Sequence, residues 1–263
     1  MSTFEILSRH ASIELHSYAD HDTGLRALVA IDDTRLGPAI GGTRMYTYAR
    51  EEDAVADVVG LAKGMTAKAA LARLSHGGGK AVIWMDPSRP VRSRRALFLA
   101  YGRFVHTLGG RYVTAEDVGT STEDMDVVRS VTPHVLGVSL GLGGSGDPSP
   151  FTALGVRRGI EALAEVVLAR SDLDGMHVAI QGTGHVGAHL VRELFDLGCR
   201  LTVADISPER TAQMADEILA DYWVNLHKEP DISQLFRGER SFERAFIVDK
   251  RHPWDPQSKS TTR

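Results

Sequence analysis

The residues best equipped for chemistry lie in one stretch, residues 63–87, KGMTAKAALARLSHGGGKAVIWMDP. It sets two lysines, Lys68 and Lys80, around three successive glycines, Gly77, Gly78 and Gly79, ahead of an apolar run at 81–85. Glycine has no Cβ, so it allows tight backbone paths and close approach of main chain to a ligand. Read as a turn, the glycines deliver Lys80 to the start of a buried strand, where desolvation of the ammonium lowers a lysine pKa. Lys68, on the helix-like segment before them, is a second cation that depresses it further. The result is a base beside a fixed cation, suited to a small anionic substrate. A surface lysine after a flexible turn fits the same residues equally well, since most lysines are exposed.

Two other clusters offer polar groups for a substrate. In GPAIGGTRM, residues 37–45, Gly41 and Gly42 present bare backbone N–H groups beside Arg44, a composition suited to carboxylate capture and equally to a plain turn. Residues 111–115 read as a short strand that carries Glu116 and Asp117 into a loop before Gly119. A carboxylate there is a candidate for proton handling, and a helix-entry acid is as common a reading.

A third cluster has a different character. An apolar strand at 176–181 runs into Gly182-Thr183-Gly184-His185-Val186-Gly187, then an amphipathic helix closed by Gly198, then a second strand at 201–204 ending in Asp205. This is the dinucleotide-binding fingerprint in its required order of strand, glycine turn, helix, strand and acid. Gly182 makes the turn, Gly184 lets backbone reach the pyrophosphate, and Gly187 allows close packing. The pyrophosphate would sit on the helix N-terminus. Asp205 would accept hydrogen bonds from the adenosine ribose and repel a 2′-phosphate, favouring NAD over NADP. His185 occupies a variable loop position and is not read as catalytic.

The elements that must position these groups follow from composition and periodicity. The 263 residues are 43% hydrophobic and 24% charged, ordinary for a soluble globular chain of one large or two smaller domains. Thirty basic against 34 acidic residues give a net charge of −4, too balanced to imply nucleic acid or an anionic membrane as partner. A lone cysteine, Cys199, rules out an intramolecular disulfide and points to a reducing compartment. The N-terminus lacks signal-peptide character and no apolar run is long enough to span a bilayer, so a cytoplasmic protein is expected. The histidines are scattered and no metal-ligand cluster is found.

Residues 12–18 and 25–31 read as a strand hairpin. Residues 51–63 carry Val55, Val58, Val59 and Ala62 at helical spacing behind an acidic first turn. Ser93 caps a helix with Leu97, Tyr101, Phe104, Val105 and Leu108 on its core face, stopped by Gly109 and Gly110. Ser121 and Asp124 form a capping pair, and residues 135–138 read as another strand. The Gly-, Pro- and Ser-rich stretch 141–150 is the domain junction, with Ser149 and Pro150 as N-cap and first residue of a long helix bearing Leu154, Val156, Ile160, Leu163 and Val167. Ser207 and Pro208 cap a further helix to about residue 220; after it only 244–248 suggests a strand, and the chain from Lys250 on reads as a polar tail.

With these motifs in view, the chain resembles the amino acid dehydrogenase family of leucine, valine, phenylalanine and glutamate dehydrogenases, leucine dehydrogenase most of all. The likeness runs from about residue 10 to about residue 210 and is carried most specifically by LSHGGGKAVIWMDP, with GPAIGGTRM, GMTAK, RYVTAEDVGT, SGDPSPFTA and QGTGHVG agreeing. The resemblance implies an α/β fold: a substrate-binding and oligomerisation domain over 1–148, a partial Rossmann-type NAD domain over 149–222, and an atypical segment over 223–263. It implies Lys80 as the general base toward the water that attacks an imine. Lys68 would bind the substrate α-carboxylate with the backbone of Gly41 and Gly42, and Asp117 would handle protons on the amino group. Thr152, Gly182, Thr183, Gly184, His185, Val186, Gly187 and Asp205 would lie on the cofactor side.

The implied reaction is NAD-dependent oxidative deamination of an L-amino acid to a 2-oxo acid and ammonium, in a homo-oligomer. Ile40 narrows the substrate: glutamate-specific members have lysine at the matching position, and isoleucine there would leave a side-chain carboxylate unpaired in an apolar pocket, at a cost of several kcal/mol. An apolar amino acid of leucine or valine type is therefore expected. The family pattern continues past the second nucleotide strand, whereas nothing here after Tyr222 resembles it. A catalytically inactive member that binds ligand or partner subunits is the alternative expectation.

Overall fold

The computed structural model describes residues 2–10, 12–86, 88, 91, 93–219, 224–226 and 244–248. The chain divides into two compact units, Met1–Asp147 and Pro148–Arg263.

In the first unit, a short helix α1 (Thr3–Leu7) precedes strands β1 (Glu14–Asp20), β2 (Leu25–Ile31) and β3 (Ala39–Thr47). Helix α2 (Glu51–Leu71), strand β4 (Gly77–Met85), helix α3 (Arg94–Thr107), strand β5 (Tyr112–Glu116) and helix α4 (Thr122–Arg129) follow. The sheet order is β1-β2-β4-β3-β5. The hairpin pairs Glu14 with Ile31 and Asp20 with Leu25; its turn is tied by Thr23, whose N–H and hydroxyl both donate to Asp20 Oδ1 at 2.8 Å. β2 runs antiparallel to β4, while β3 lies parallel to both β4 and β5.

Strand alternation splits the sheet's residues between two cores. Leu25, Ala27, Val29, Ala81 and Ile83 pack with Tyr101, Phe104 and Met125 of α3 and α4. Leu28, Ala30 and Val82 pack on the other face with Val55, Val58, Val59 and Ala62 of α2. The cap and stop signals act as expected on α3, where Ser93 Oγ accepts from the Ala96 N–H at 3.2 Å and Gly109 and Gly110 take positive φ. They also act on α4, where Ser121 and Asp124 form a capping box.

Several local expectations are corrected. From Ala39 on, the stretch 37–45 is strand rather than turn: Gly41 and Gly42 lie inside β3. Gly77, Gly78 and Gly79 are not a turn either; they are the first three residues of β4, buried throughout. They are glycine because neighbours crowd them. A Cβ on Gly77 would stand 1.6 Å from the Asp33 carbonyl oxygen, one on Gly78 2.1 Å from the Thr66 nitrogen, and one on Gly79 2.8 Å from the Tyr112 ring. α2 runs unbroken to Leu71, through Gly60 and Gly64. α1, with its Ser2–Glu5 capping box, had no counterpart in the expected elements. Residues 135–138 make only an isolated bridge, Val135 to Thr114.

The second unit contains α5 (Ser149–Leu168), β6 (His177–Gln181), α6 (His185–Asp196), β7 (Arg200–Asp205), α7 (Pro208–Leu219), β8 (Val224–Leu226) and β9 (Arg244–Val248), in sheet order β6-β7-β9-β8. β6 and β7 are parallel, with Val178 opposite Leu201, and α6 crosses between them. β7 pairs antiparallel with β9 on its other side, Leu201 opposite Val248. The core holds Ile180, Val191, Leu194, Phe195, Leu201 and Val203. α5 begins at Ser149, the expected cap and one residue ahead of the expected first residue, with Pro148 as N-cap. Its buried seam is Ala153 and Ala164, with Ile160 packed against it; Leu154, Val156, Leu163 and Val167, expected inside, are exposed. Most of 223–263, including the expected tail from Lys250, lies outside the described residues.

Candidate active site

Strand alternation decides which side chains meet. Ile40, Gly42 and Arg44 of β3 point to the same face as Lys80 and Val82 of β4, because Val82 belongs to the core under α2. On β5 the register places Val113 opposite Ile40 and Ala115 opposite Gly42, so these join that face. α2 packs over β4 and β2. Ile40, Gly42, Val113 and Ala115 remain half-buried, an apolar floor beside the charged groups.

Lys80 is only 6% exposed. Its Nζ lies 2.8 Å from Asp117 Oδ2, and Asp117 follows directly on β5. The approach depends on Gly42: a Cβ there would stand 2.4 Å from the Glu116 carbonyl oxygen and 2.9 Å from Asp117 Cβ. The Asp117 backbone N–H donates to Thr120 Oγ1 at 2.8 Å, and the Thr120 hydroxyl faces the Thr43 carbonyl at 2.9 Å. These bonds fix the loop against β3.

β3 itself is braced from behind. The ladder to β4 runs through Ile40–Gly78 and resumes at Thr43–Ala81. Between these pairs a Cβ on Gly41 would come 1.7 Å from the Gly79 carbonyl oxygen. Tyr112 donates its hydroxyl to the Gly41 carbonyl at 2.5 Å. Thr43 Oγ1 joins the Tyr101 hydroxyl at 2.7 Å and Thr114 Oγ1 at 2.5 Å in a buried cluster.

The electrostatics follow from burial. Desolvation lowers the Lys80 pKa from its ordinary 10.5; Asp117 opposes that shift, and the positive charge of Arg44 adds to it. For Asp117, burial raises the pKa, but the hydrogen bond and charge of Lys80, with Arg44 behind them, outweigh it and hold the carboxyl below 3.8. The site therefore contains a carboxylate and an amine that parts with its proton more readily than a free lysine. The neighbouring cation is Arg44 rather than Lys68. Lys68 sits in the last turn of α2 and is exposed.

In the second unit the glycine loop lies between β6 and α6. Gly182 has φ +98° and its N–H donates to the Ala204 carbonyl at 2.7 Å. Gly184 is the N-cap of α6, followed by His185, Val186 and Gly187. A Cβ on Gly187 would stand 1.9 Å from the Gly182 carbonyl oxygen, while one on Gly184 would meet nothing within 4 Å. The helix start thus offers backbone N–H groups beside open space, which fits an anionic pyrophosphate. Asp205, 4% exposed, accepts from the Thr183 N–H at 2.6 Å and the Thr183 hydroxyl at 3.1 Å through Oδ2, and from the Ser207 N–H at 2.9 Å through Oδ1. Burial raises its pKa, but these bonds bring it below 3.8. Thr152, in the first turn of α5, is exposed and its hydroxyl donates to the Pro148 carbonyl at 3.0 Å.

Ile40, Gly41, Gly42, Lys80 and Asp117 are thus gathered on one sheet, and the fingerprint residues with Asp205 at one helix start. Sequence reasoning missed Val113 and the partners of Arg44, namely Asp57 and Tyr48. The period-2 pattern of β5 would have given Val113 its face. Asp57 carries no local signal, because it meets Arg44 only through the packing of α2. Among the described residues no group of His, Cys, Asp and Glu could hold a metal ion, and no helix is long and apolar enough to cross a membrane.

Residues 10–134 match the family model described as Glu/Leu/Phe/Val dehydrogenase, dimerisation domain. A leucine dehydrogenase of Thermoactinomyces intermedius is 45% identical over 222 residues, which are 84% of this chain and 60% of that protein. A valine dehydrogenase of Streptomyces virginiae is 50% identical over 190 residues, 72% of this chain and 52% of that protein. The chain therefore spans little more than half the length of these relatives. Among solved structures, L-tryptophan dehydrogenase from Nostoc punctiforme is similar at 36% identity and TM-score 0.59, covering 82% of this chain and 60% of that one. Hetero-hexameric glutamate dehydrogenase from Thermus thermophilus is similar at 26% identity and TM-score 0.64, over 83% and 57% respectively. Residues 10–134 of this chain are thus a domain of the Glu/Leu/Phe/Val dehydrogenase type.

Proposed function

We propose that the protein catalyses NAD-dependent oxidative deamination of an apolar L-amino acid, of leucine or valine type, to the 2-oxo acid and ammonium. The observation that carries this reading is the buried Lys80–Asp117 pair beside the floor of Ile40 and Val113. NAD, when bound, would accept the hydride from the substrate Cα. The glycine loop, Gly182 to Gly187, would hold its pyrophosphate, and Asp205 would face the adenosine ribose.

The chain's own residues supply the proton chemistry. Asp117 takes a proton from the substrate ammonium, so that electron density on nitrogen can assist hydride departure. Lys80, as the free amine, takes a proton from the water that adds to the imine carbon, and the resulting carbinolamine releases ammonia. Lys68 and the backbone of Gly41 and Gly42 hold the α-carboxylate, which orients Cα. Ile40 and Val113 accept an apolar side chain; an acidic one would lose its hydration there without a counter-charge.

The dimerisation description of the matched domain supports a homo-oligomer. The lone cysteine Cys199 supports a cytoplasmic setting. The test is reductive amination of 4-methyl-2-oxopentanoate with ammonium, followed by NADH absorbance. Turnover is expected, faster than with 2-oxoglutarate; no rate on any branched or aromatic 2-oxo acid rejects the reading. A second reading, a ligand-binding member without turnover, is favoured by the antiparallel β9 beside β7, where a dinucleotide fold places a parallel strand. NAD binding without any rate supports it.

A further inference from the structure

The Lys80–Asp117 pair contains a chemical conflict. A lone carboxylate at 2.8 Å holds the ammonium proton on its partner, which is unhelpful for a base. A third group touches the same oxygen: Arg44 Nε donates to Asp117 Oδ2 at 3.3 Å. Arg44 is itself gripped from behind, its Nη1 donating to Asp57 Oδ2 at 2.9 Å, and the same oxygen accepts from the Tyr48 hydroxyl at 2.5 Å. Tyr48 is anchored by Trp84, whose indole N–H donates to the Tyr48 carbonyl at 3.1 Å, and the Arg26 guanidinium lies 4.1 Å over the Trp84 ring. Charges thus alternate along Asp57, Arg44, Asp117 and Lys80.

We propose that Arg44 is a positioning residue that keeps Asp117 compensated while Lys80 is without its proton, so that the ion pair does not lock Lys80 as ammonium. Arginine suits this because it does not titrate at any working pH. Burying Asp117 beside a neutral amine alone would leave a carboxylate uncompensated, which is strongly unfavourable; Arg44 removes that barrier to deprotonation. Asp57 works in the opposite sense, drawing part of the guanidinium charge away and fixing where it points. The groups around Lys80 are Asp117 after β5, Arg44 on β3, and Asp57 on α2, with Lys68 exposed farther along α2; β2 presents Leu28 and Ala30 on this face and, near its start, Arg26, which lies over Trp84 and pairs with Asp86 at 3.2 Å. Burial and Arg44 both push the Lys80 pKa down, and Asp117 and Asp57 push it up.

The proposal rests on the reading of Lys80 as the base, but its test needs neither cofactor nor turnover. The full chain, labelled with 13C and 15N lysine, has six lysines, and Lys80→Arg assigns the Lys80 side-chain resonance. Its titration is followed by NMR. Arg44→Met is expected to move the Lys80 midpoint up, Asp57→Asn to move it down, and Arg44→Lys, which keeps the charge, to leave it nearer wild type than Arg44→Met does. Loosened packing alone would move the first two variants in the same direction. An unmoved or lowered midpoint in folded Arg44→Met overturns the proposal, as does an unmoved or raised one in Asp57→Asn. Should Arg44→Met fail to fold, Asp57→Asn decides alone. A chain without rate on any branched or aromatic 2-oxo acid that shows the opposed shifts refutes the deamination reading and keeps this one; an active chain without the shifts does the reverse.

Discussion

The proposed chemistry turns on one side chain held dry. Lys80 has a carboxylate at 2.8 Å and yet a lowered pKa, because burial costs the ammonium more than Asp117 returns to it. Lys80→Met keeps the stem and removes the charge, leaving Asp117 with Arg44. Its unfolding free energy is expected within about 1 kcal/mol of wild type, because Arg44 at 3.3 Å still compensates the buried carboxylate. Turnover is expected to fall by roughly 10²–10⁴, the usual worth of a general base. Denaturant unfolding beside steady-state kinetics checks both. At Ile40 the issue is selectivity: Ile40→Lys supplies a counter-charge to the floor, and the ratio of glutamate to leucine turnover is expected to rise at least tenfold. Lys80 was legible as a candidate from its neighbours in sequence, and Asp117 from its place after a strand. Arg44 was visible only as a flanking cation, because its partners Asp57 and Asp117 lie 13 and 73 positions away.

Strands and helices set the distances these residues require. The glycines of β3 and β4 are places where backbones nearly touch, not hinges. Gly41→Ala would put a Cβ 1.7 Å from the Gly79 carbonyl oxygen, and parting β3 from β4 is expected to cost about 3 kcal/mol or more. Gly60→Ala is the control: on an exposed position of α2 its Cβ meets nothing within 4 Å, so stability is expected to rise by up to ~1 kcal/mol. Thermal unfolding of the two variants should move in opposite directions. Helices were legible because caps and stops are local: Ser93, Ser121 and Asp124, and the pair Gly109 and Gly110, act where their types place them. Runs of glycine were misread because a residue without a side chain serves a turn and a crowded strand alike. The tertiary neighbour decides, and no local pattern reveals Tyr112 behind Gly79.

Across the whole molecule, the pH dependence of folding draws on both units. Asp117 and Asp205 have folded-state pKa values below 3.8. Their contribution is present above the unfolded-state value and is lost as pH falls through the lower folded-state one. Lys80 acts at the other end: the folded form sheds its proton earlier than the unfolded chain, so its burial penalty eases as pH rises toward 10.5. Melting temperatures are therefore expected to drop steeply below about pH 4; a flat profile down to pH 3 would contradict this. The βαβ core of β6, α6 and β7 was legible because strand, glycine loop and acid are contiguous in sequence. The antiparallel partner β9 was legible as a strand but not in its pairing, since direction is set by how the intervening chain returns.

The most direct measurement is the initial rate of NAD reduction with L-leucine from pH 6 to 11, for wild type and Lys80→Met. A wild-type rate that climbs with pH and levels off below 10.5, with the variant near background throughout, is the expected result. A folded wild type without rate at any pH, or a variant as fast as wild type, would contradict the account.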